Sequence, residues 1–425
     1  MKLISAQSEL AGQARMPGSK SHTIRAIAFA SLAKGRSVIR SPLDSLDARS
    51  AVNCFRAFGA KINTNDNSVW QVEGFSGIPQ IPDNVIDVGN SGTSLRLALG
   101  TGALLDKGMA VFTGDDQIRR RPAAPLLKSL NELGAVAHSA RQNGLAPYIV
   151  HGPLTGGRTE IEAISSQYLS SLLVNCPLAA GDTEIVVKLL NEKPYVEMTL
   201  AWLDRLGINY QNNDFQTFTI PGRQGYRDFE CQVPADFSSA TFFLCAAALA
   251  GRDVQLIGMD MNDTQGDKAV VDYLKQMGAK IEITGEAIIV NQNQLHGVNL
   301  DLNATPDALP AMAVTACFAQ GKTRFYNVPQ ARIKETDRIA VMAAELKKLG
   351  AIIKELPDGL EIDYNPLHGG TVDGHGDHRV VMSLALAGLL TAEPVTISGA
   401  EAVAVTFPEF ANLMQHLGAK MKLVN

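Results

Sequence analysis

Along the 425 residues, apolar and polar positions fall into a phrase that returns six times: an amphipathic stretch, an apolar residue, a glycine, usually an alanine, and a short apolar run. It reads Phe58-Gly59-Ala60, Leu133-Gly134-Ala135, Leu206-Gly207-Ile208, Met277-Gly278-Ala279, Leu349-Gly350-Ala351 and Leu417-Gly418-Ala419, with successive glycines 75, 73, 71, 72 and 68 residues apart. Such a period marks an internal repeat. The phrase predicts a helix that closes on a glycine in the left-handed conformation and passes into a strand such as Lys280-Ile281-Glu282-Ile283. Leu126, Leu127, Leu130 and Leu133 carry the helical period in one copy, and Phe410, Leu413, Met414 and Leu417 in another.

A second phrase precedes each of these helices: an Ala- and Leu-rich segment, a polar turn and a strand. Its copies run over 25–39, 95–112, 168–187, 240–257, 311–326 and 380–397. Each unit therefore reads as strand, buried helix, strand, amphipathic helix, strand, strand. The first helix is apolar on nearly every side and must be covered, whereas the second keeps a polar face. The predicted class is α/β, with six βαβαββ repeats, buried helices and outer sheets. Six units can close into one ring or form two bodies of three. A ring-shaped clamp on nucleic acid needs an interior lined with Lys and Arg, and the open helix positions here are mixed in sign. Two bodies with a cleft are favoured, and ligands commonly bind at such interfaces.

Composition narrows the classes. With 46% hydrophobic and 19% charged residues the chain has enough apolar surface for real cores. Lys plus Arg number 38 against 43 Asp plus Glu, a net charge of -5, so no general attraction to nucleic acid or an anionic membrane is expected. Five scattered cysteines without a Cys-x-x-Cys pair argue against disulfides or zinc and for small buried side chains. Met1 to Gln7 has no apolar core for a signal peptide, and no apolar run reaches a spanning length. A cytoplasmic protein is expected.

Anion binding must then come from local clusters, and the starts of the buried helices hold them. They read Pro17-Gly18-Ser19-Lys20-Ser21, Gly89-Asn90-Ser91-Gly92-Thr93, Ser165-Ser166-Gln167, Asp236-Phe237-Ser238-Ser239, Pro306-Asp307 and Gly376-Asp377-His378-Arg379. Capping alone accounts for Ser, Asn and Asp. It does not account for Lys20, Arg25, Arg96 and Arg379, which are unfavourable at a positive helix end unless an anion sits there. Arg119-Arg120-Arg121-Pro122 and Arg332-Ile333-Lys334-Glu335-Thr336-Asp337-Arg338 add cations at two further helix starts. No nucleotide P-loop, dinucleotide fingerprint or His-x-x-x-His pair is present. His378 reads either as a base or as a residue orienting its loop. Asp307 reads as a plain N-cap or a catalytic carboxylate, and Glu335 as a solvated ion-pair partner or the second member of a proton-transfer pair.

Taken in order, these strings, with Gln265-Gly266-Asp267 and Phe407-Pro408, resemble the enolpyruvyl transferases and, within them, the 3-phosphoshikimate 1-carboxyvinyltransferase (EPSP synthase) family over essentially the whole chain. The resemblance implies a two-domain inside-out α/β barrel. One domain would hold residues 1–18 and 234–425 and the other, inserted, residues 19–233, with three repeats each and the active site in the interdomain cleft. It implies transfer of the enolpyruvyl group of phosphoenolpyruvate to the 5-hydroxyl of shikimate 3-phosphate, by addition and elimination, in aromatic amino acid biosynthesis. No metal or organic cofactor is needed, and a monomer without nucleic-acid or membrane partners is expected. Carried onto this chain, Lys20, Ser21, Arg25, Ser165, Ser166, Gln167, Asp307 and Lys334 would hold shikimate 3-phosphate. Lys20, Gly92, Arg121, Gln167, Arg338 and Arg379 would hold phosphoenolpyruvate. Asp307 would act as base, with Glu335 and Lys20 managing the proton at the other end.

The chain departs from the family pattern at four places. Val405 stands where many members have Lys two residues before Phe-Pro, Glu192 where they have Ser before Lys-Pro-Tyr, Gln330 for Asn, and Leu97 for the Pro after Arg96. The loss of that Lys removes one phosphoenolpyruvate contact and bears on phosphonate inhibitors such as glyphosate. Two enzyme alternatives follow: an acceptor that is another shikimate-like acid, or UDP-N-acetylglucosamine. The latter expects Lys-Asn in the first motif and a Cys in the Arg-containing loop, whereas the chain has Lys20-Ser21 and no Cys between 55 and 175. The non-enzyme alternative is a clamp or ligand-sensing pseudoenzyme.

Overall fold

The computed structural model describes residues 1–425. Its twelve α-helices alternate in character as the repeat predicts. The buried set is α1 (Lys20–Leu32), α3 (Gly92–Gly102), α5 (Ser166–Asn175), α7 (Phe237–Ala250), α9 (Leu309–Cys317) and α11 (His378–Ala387). The amphipathic set is α2 (Leu46–Ala57), α4 (Ala124–Glu132), α6 (Lys193–Arg205), α8 (Ala269–Gln276), α10 (Arg338–Lys348) and α12 (Phe410–His416). All of α7 but Leu249 is buried, as its run Phe242-Phe243-Leu244-Cys245-Ala246-Ala247-Ala248 demands. In α4, by contrast, burial falls on Leu126, Leu127, Ser129 and Leu130 alone, the single stripe of a half-covered helix.

All six amphipathic helices end alike. The glycine takes positive φ, from 70° at Gly207 to 103° at Gly418. The next N–H returns to the helix five residues back, as in Ala60 to Phe55 O at 3.1 Å, Ala279 to Leu274 O at 2.9 Å and Ala419 to Met414 O at 2.9 Å. This pairing satisfies carbonyls that the helix end would leave open, and it aims the chain into the following strand. At Gly134 space enforces the choice as well, since a Cβ there would lie 2.1 Å from Thr155 Oγ1.

Six four-stranded sheets share one order. In the sheet around α9, Asn299–Asp301 runs parallel to Lys322–Tyr326, which pairs antiparallel with Gly359–Asp363, itself antiparallel to Ile352–Leu356. A buried helix makes the parallel crossover, as parallel pairing requires. Alternate strand residues point inward, for example Trp70 and Val72, or Ile288 and Val290, over the buried helices.

The sequence period predicts each repeat as one continuous stretch, but in three of the six sheets one strand comes from elsewhere in the chain. Glu230–Gln232 completes the sheet of α1, pairing parallel with Arg36–Arg40. Leu10–Arg15, which precedes α1 in the chain, pairs instead with Gly251–Ile257 after α7. Lys2–Ala6 fills the third place of the last sheet, between Val395–Ser398 and Lys420–Val424. These are pairings between segments far apart in sequence, which a local period cannot register. Contacts divide the chain into one unit of Met1–Pro17 with Pro234–Asn425 and another of Gly18–Val233. Each has its own apolar core and three of the sheets. No helix is long and apolar enough to cross a membrane.

Candidate active site

In the unit of Gly18–Val233 the starts of the three buried helices meet. Ser19 caps α1, and Lys20, Ser21 and Arg25 occupy its first two turns. Lys20 Nζ donates to Asp47 Oδ2 at 3.1 Å, and the Asp47 carbonyl accepts from Ser94 Oγ of α3 at 3.5 Å. Gln167 Nε2, on α5, donates to Thr93 Oγ1 of α3 at 3.2 Å, while Arg25 Nη2 reaches Ser170 Oγ of α5 at 3.4 Å. Three positive helix ends are thereby tied together, an arrangement that favours anions.

Gly92 is the first residue of α3, and a Cβ placed there would lie 2.8 Å from Arg96 Nη1, 3.0 Å from Arg121 Nη1 and 3.5 Å from Gln167 Oε1. Gly92, Arg121 and Gln167, far apart in sequence, thus surround one small space. Arg96 is buried, with hydrogen bonds to Gly92 O and Pro122 O; burial, helped by the nearby charge of Arg121, lowers its pKa. Arg25 is also buried, and its acceptors are all neutral: Thr199 Oγ1, Ser170 Oγ, Tyr195 O and Ser21 O. Loss of water pulls its pKa down to about 10. Ser165 caps α5, accepting from the Gln167 N–H at 3.4 Å. Ser166 gives both its N–H and its hydroxyl to Glu192 Oε2, at 3.2 and 2.7 Å.

In the other unit the cluster is built on Arg338, the first residue of α10, whose side chain is 1% exposed. Its Nη1 donates to Asp307 Oδ1 at 2.7 Å, its Nη2 to Glu335 Oε2 at 2.5 Å, and its Nε to Asp377 Oδ2 at 2.8 Å. Arg379 Nη2 lies 3.0 Å from Asp307 Oδ2, and Lys334 Nζ 3.9 Å from Asp307 Oδ1. Burial opposes ionisation of Asp307, but Arg379, Lys334 and Arg338 outweigh it and hold the carboxyl well below the usual range. Asp377 is lowered in the same way, chiefly through Arg338, and its Oδ1 also caps α11 through the Arg379 N–H.

For two carboxylates one of the alternative readings falls away. Asp307 is not an N-cap: it lies in a 3-10 turn, Pro306–Ala308, and its carboxylate is taken up by cations rather than by backbone N–H groups. Glu335 is not a solvated partner but a 12%-exposed ligand of Arg338. Anions do sit at several of these helix starts, and some belong to the chain itself. Lys20 has Asp47, and Arg338 and Arg379 have internal carboxylates, while Arg25 and Arg96 have neutral acceptors. Asp47 carries no distinctive sequence signal, because an acid in a first helical turn is ordinary and nothing in its neighbours marks it. His378 is buried beside Asp377, its Nδ1 3.9 Å from Oδ1. Val405 is half-buried in the turn Ala400–Val405. No group of three or more His, Cys, Asp or Glu side chains is placed to hold a metal ion.

Solved structures give the class. The chain superposes on an EPSP synthase from Acinetobacter baumannii with a TM-score of 0.81 at 29% identity, covering 99% of this chain and 100% of that one. Sequence narrows it further: the pattern of EPSP synthase (3-phosphoshikimate 1-carboxyvinyltransferase) matches residues 4–414. A 3-phosphoshikimate 1-carboxyvinyltransferase of Acetivibrio thermocellus is 56% identical over 413 residues, 97% of either chain. That of Ruminiclostridium cellulolyticum is 54% identical over 418 residues, covering 98% of this chain and 99% of its own. The chain belongs to the EPSP synthase family.

Proposed function

We propose that the chain transfers the enolpyruvyl group of phosphoenolpyruvate to the 5-hydroxyl of shikimate 3-phosphate, releasing phosphate. The observation that carries this reading is the knot of Asp307, Glu335, Lys334, Arg338 and Arg379 at three helix starts, within a chain that matches its family over residues 4–414. Both substrates are polyanions, and each unit brings guanidinium groups suited to bidentate binding of carboxylate and phosphate.

In the reaction as read, the 5-hydroxyl attacks C2 of phosphoenolpyruvate while C3 takes up a proton. The resulting tetrahedral intermediate loses a proton from the C3 methyl group and expels phosphate. Asp307 accepts the hydroxyl proton, and Glu335 with Lys20 handles the proton at C3. With three cations around it, Asp307 is a weak base. An incoming phosphoenolpyruvate that takes over hydrogen bonds of Arg338 and Arg379 relieves this hold and raises its basicity when it is needed. Lys20, Ser21, Arg25, Ser165, Ser166, Gln167, Asp307 and Lys334 hold the acceptor, and Lys20, Gly92, Arg121, Gln167, Arg338 and Arg379 the donor.

The test is product formation followed by mass spectrometry. Wild type forms 5-enolpyruvylshikimate 3-phosphate, whereas Asp307→Ala folds but turns over at less than a tenth of that rate, a barrier rise above about 1.4 kcal/mol. A faster variant removes Asp307 from the role of base.

A further inference from the structure

We propose that Glu192 sets acceptor specificity: its carboxylate occupies the place that the acceptor's phosphate takes at Ser166, and it must leave for that phosphate to bind. The inference rests on the reading of Ser165, Ser166 and Gln167 as part of the shikimate 3-phosphate site.

Glu192 is 2% exposed, and one oxygen, Oε2, accepts from both donors of Ser166. It stands just before α6, yet its side chain makes no capping bond to α6 and serves α5 instead. The backbone holds it there at φ 58°, a left-handed conformation that a side chain rarely adopts. The turn is pinned by Asn191, whose N–H donates to Ala163 O at 3.1 Å and whose Nδ2 donates to Ile164 O at 3.3 Å. A carboxylate and a phosphate cannot share the same two donors, and brought close together they repel. The cation for the ligand lies one turn farther in, between the same helices. Arg25 bonds Ser170 of α5 and Thr199 of α6, and no carboxylate is among its acceptors. The site therefore combines an internal anion on the phosphate donors with a guanidinium that this anion does not engage. A serine at position 192, as in the family pattern, would add a donor where this chain has a competitor.

The test is calorimetry on the full chain, wild type, Glu192→Ser and Glu192→Gln, with shikimate 3-phosphate and with shikimate. The phosphorylated acceptor should bind Glu192→Ser at least about tenfold tighter than wild type, with shikimate moving less than about twofold and Glu192→Gln lying between. A merely structural cap would change both acceptors alike, in the weaker direction. Glu192→Gln keeps an oxygen for Ser166 and removes only the charge, so it decides the matter if Glu192→Ser does not fold. Unchanged or weaker binding of shikimate 3-phosphate in the folded variants overturns the proposal while leaving the function standing, provided wild type turns over with that acceptor. Wild-type turnover with a different acceptor only would overturn the functional reading and this inference together.

Discussion

Arg338 is the residue whose loss should be felt most widely. It donates four hydrogen bonds to the three carboxylates of Asp307, Glu335 and Asp377 from a side chain 1% exposed. Arg338→Met keeps most of the volume and removes the charge, leaving Asp307 to Arg379 and Lys334 and taking from Glu335 and Asp377 the guanidinium between them. Removing one partner of a buried ion pair costs on the order of 3–5 kcal/mol, because the remaining charge is left uncompensated. In a unit of this size that lowers the melting temperature by roughly 10 °C. The sign of the pH effect follows from the depressed pKa values of Asp307 and Asp377. A carboxyl lowered on folding stabilises above its unfolded pKa, near ~4, and the gain disappears as pH falls through the folded value. Without Arg338 both carboxyls rise, so the deficit should be full near neutral pH and shrink once the pH falls below about 4, towards about pH 3. Urea unfolding of both proteins at the two pH values measures it. A loss below about 1 kcal/mol, or an equal loss at both, would show that the carboxylates do not depend on Arg338.

Other outcomes follow from the same geometry. Gly92→Ala puts a methyl 2.8 Å from Arg96 Nη1 and 3.0 Å from Arg121 Nη1, so KM for phosphoenolpyruvate should rise at least about tenfold while the fold is kept; steady-state kinetics with unfolding curves checks both. Lys20→Met, which also removes the cation beside Asp47, should weaken binding of both substrates by calorimetry, and unchanged affinity for either contradicts its shared role. Burial pushes all five thiols up, to about 12 for Cys176, Cys245 and Cys317, so a thiol reagent should label the native chain slowly and all five cysteines once it is unfolded.

What could be read from the chain was what its neighbours in sequence determine. The glycine after each amphipathic helix is a local requirement of the helix end, and all six appear where the period put them. The same holds for the caps Ser19, Ser165, Asp236 and Asp377, each accepting an N–H of its own first turn. Sheet completion by Lys2–Ala6 and Glu230–Gln232 depends on partners far along the chain and left no periodic trace. The site shows the same split. Residues 307, 335, 338 and 379 were visible as charged helix starts. That Asp307 serves three cations, that Glu335 is sequestered by Arg338, and that Glu192 caps a foreign helix are consequences of packing. Glu192 stood out only as a departure from a pattern, and its hydrogen bonds to Ser166 give that departure a chemical meaning.

The central claim is the reaction, and phosphate release from phosphoenolpyruvate tests it most directly, with shikimate 3-phosphate, shikimate and UDP-N-acetylglucosamine as separate acceptors. Release should depend on shikimate 3-phosphate and be lost in Asp307→Ala. Release that needs either of the other two acceptors instead, or none with any of them from a folded protein, would contradict it.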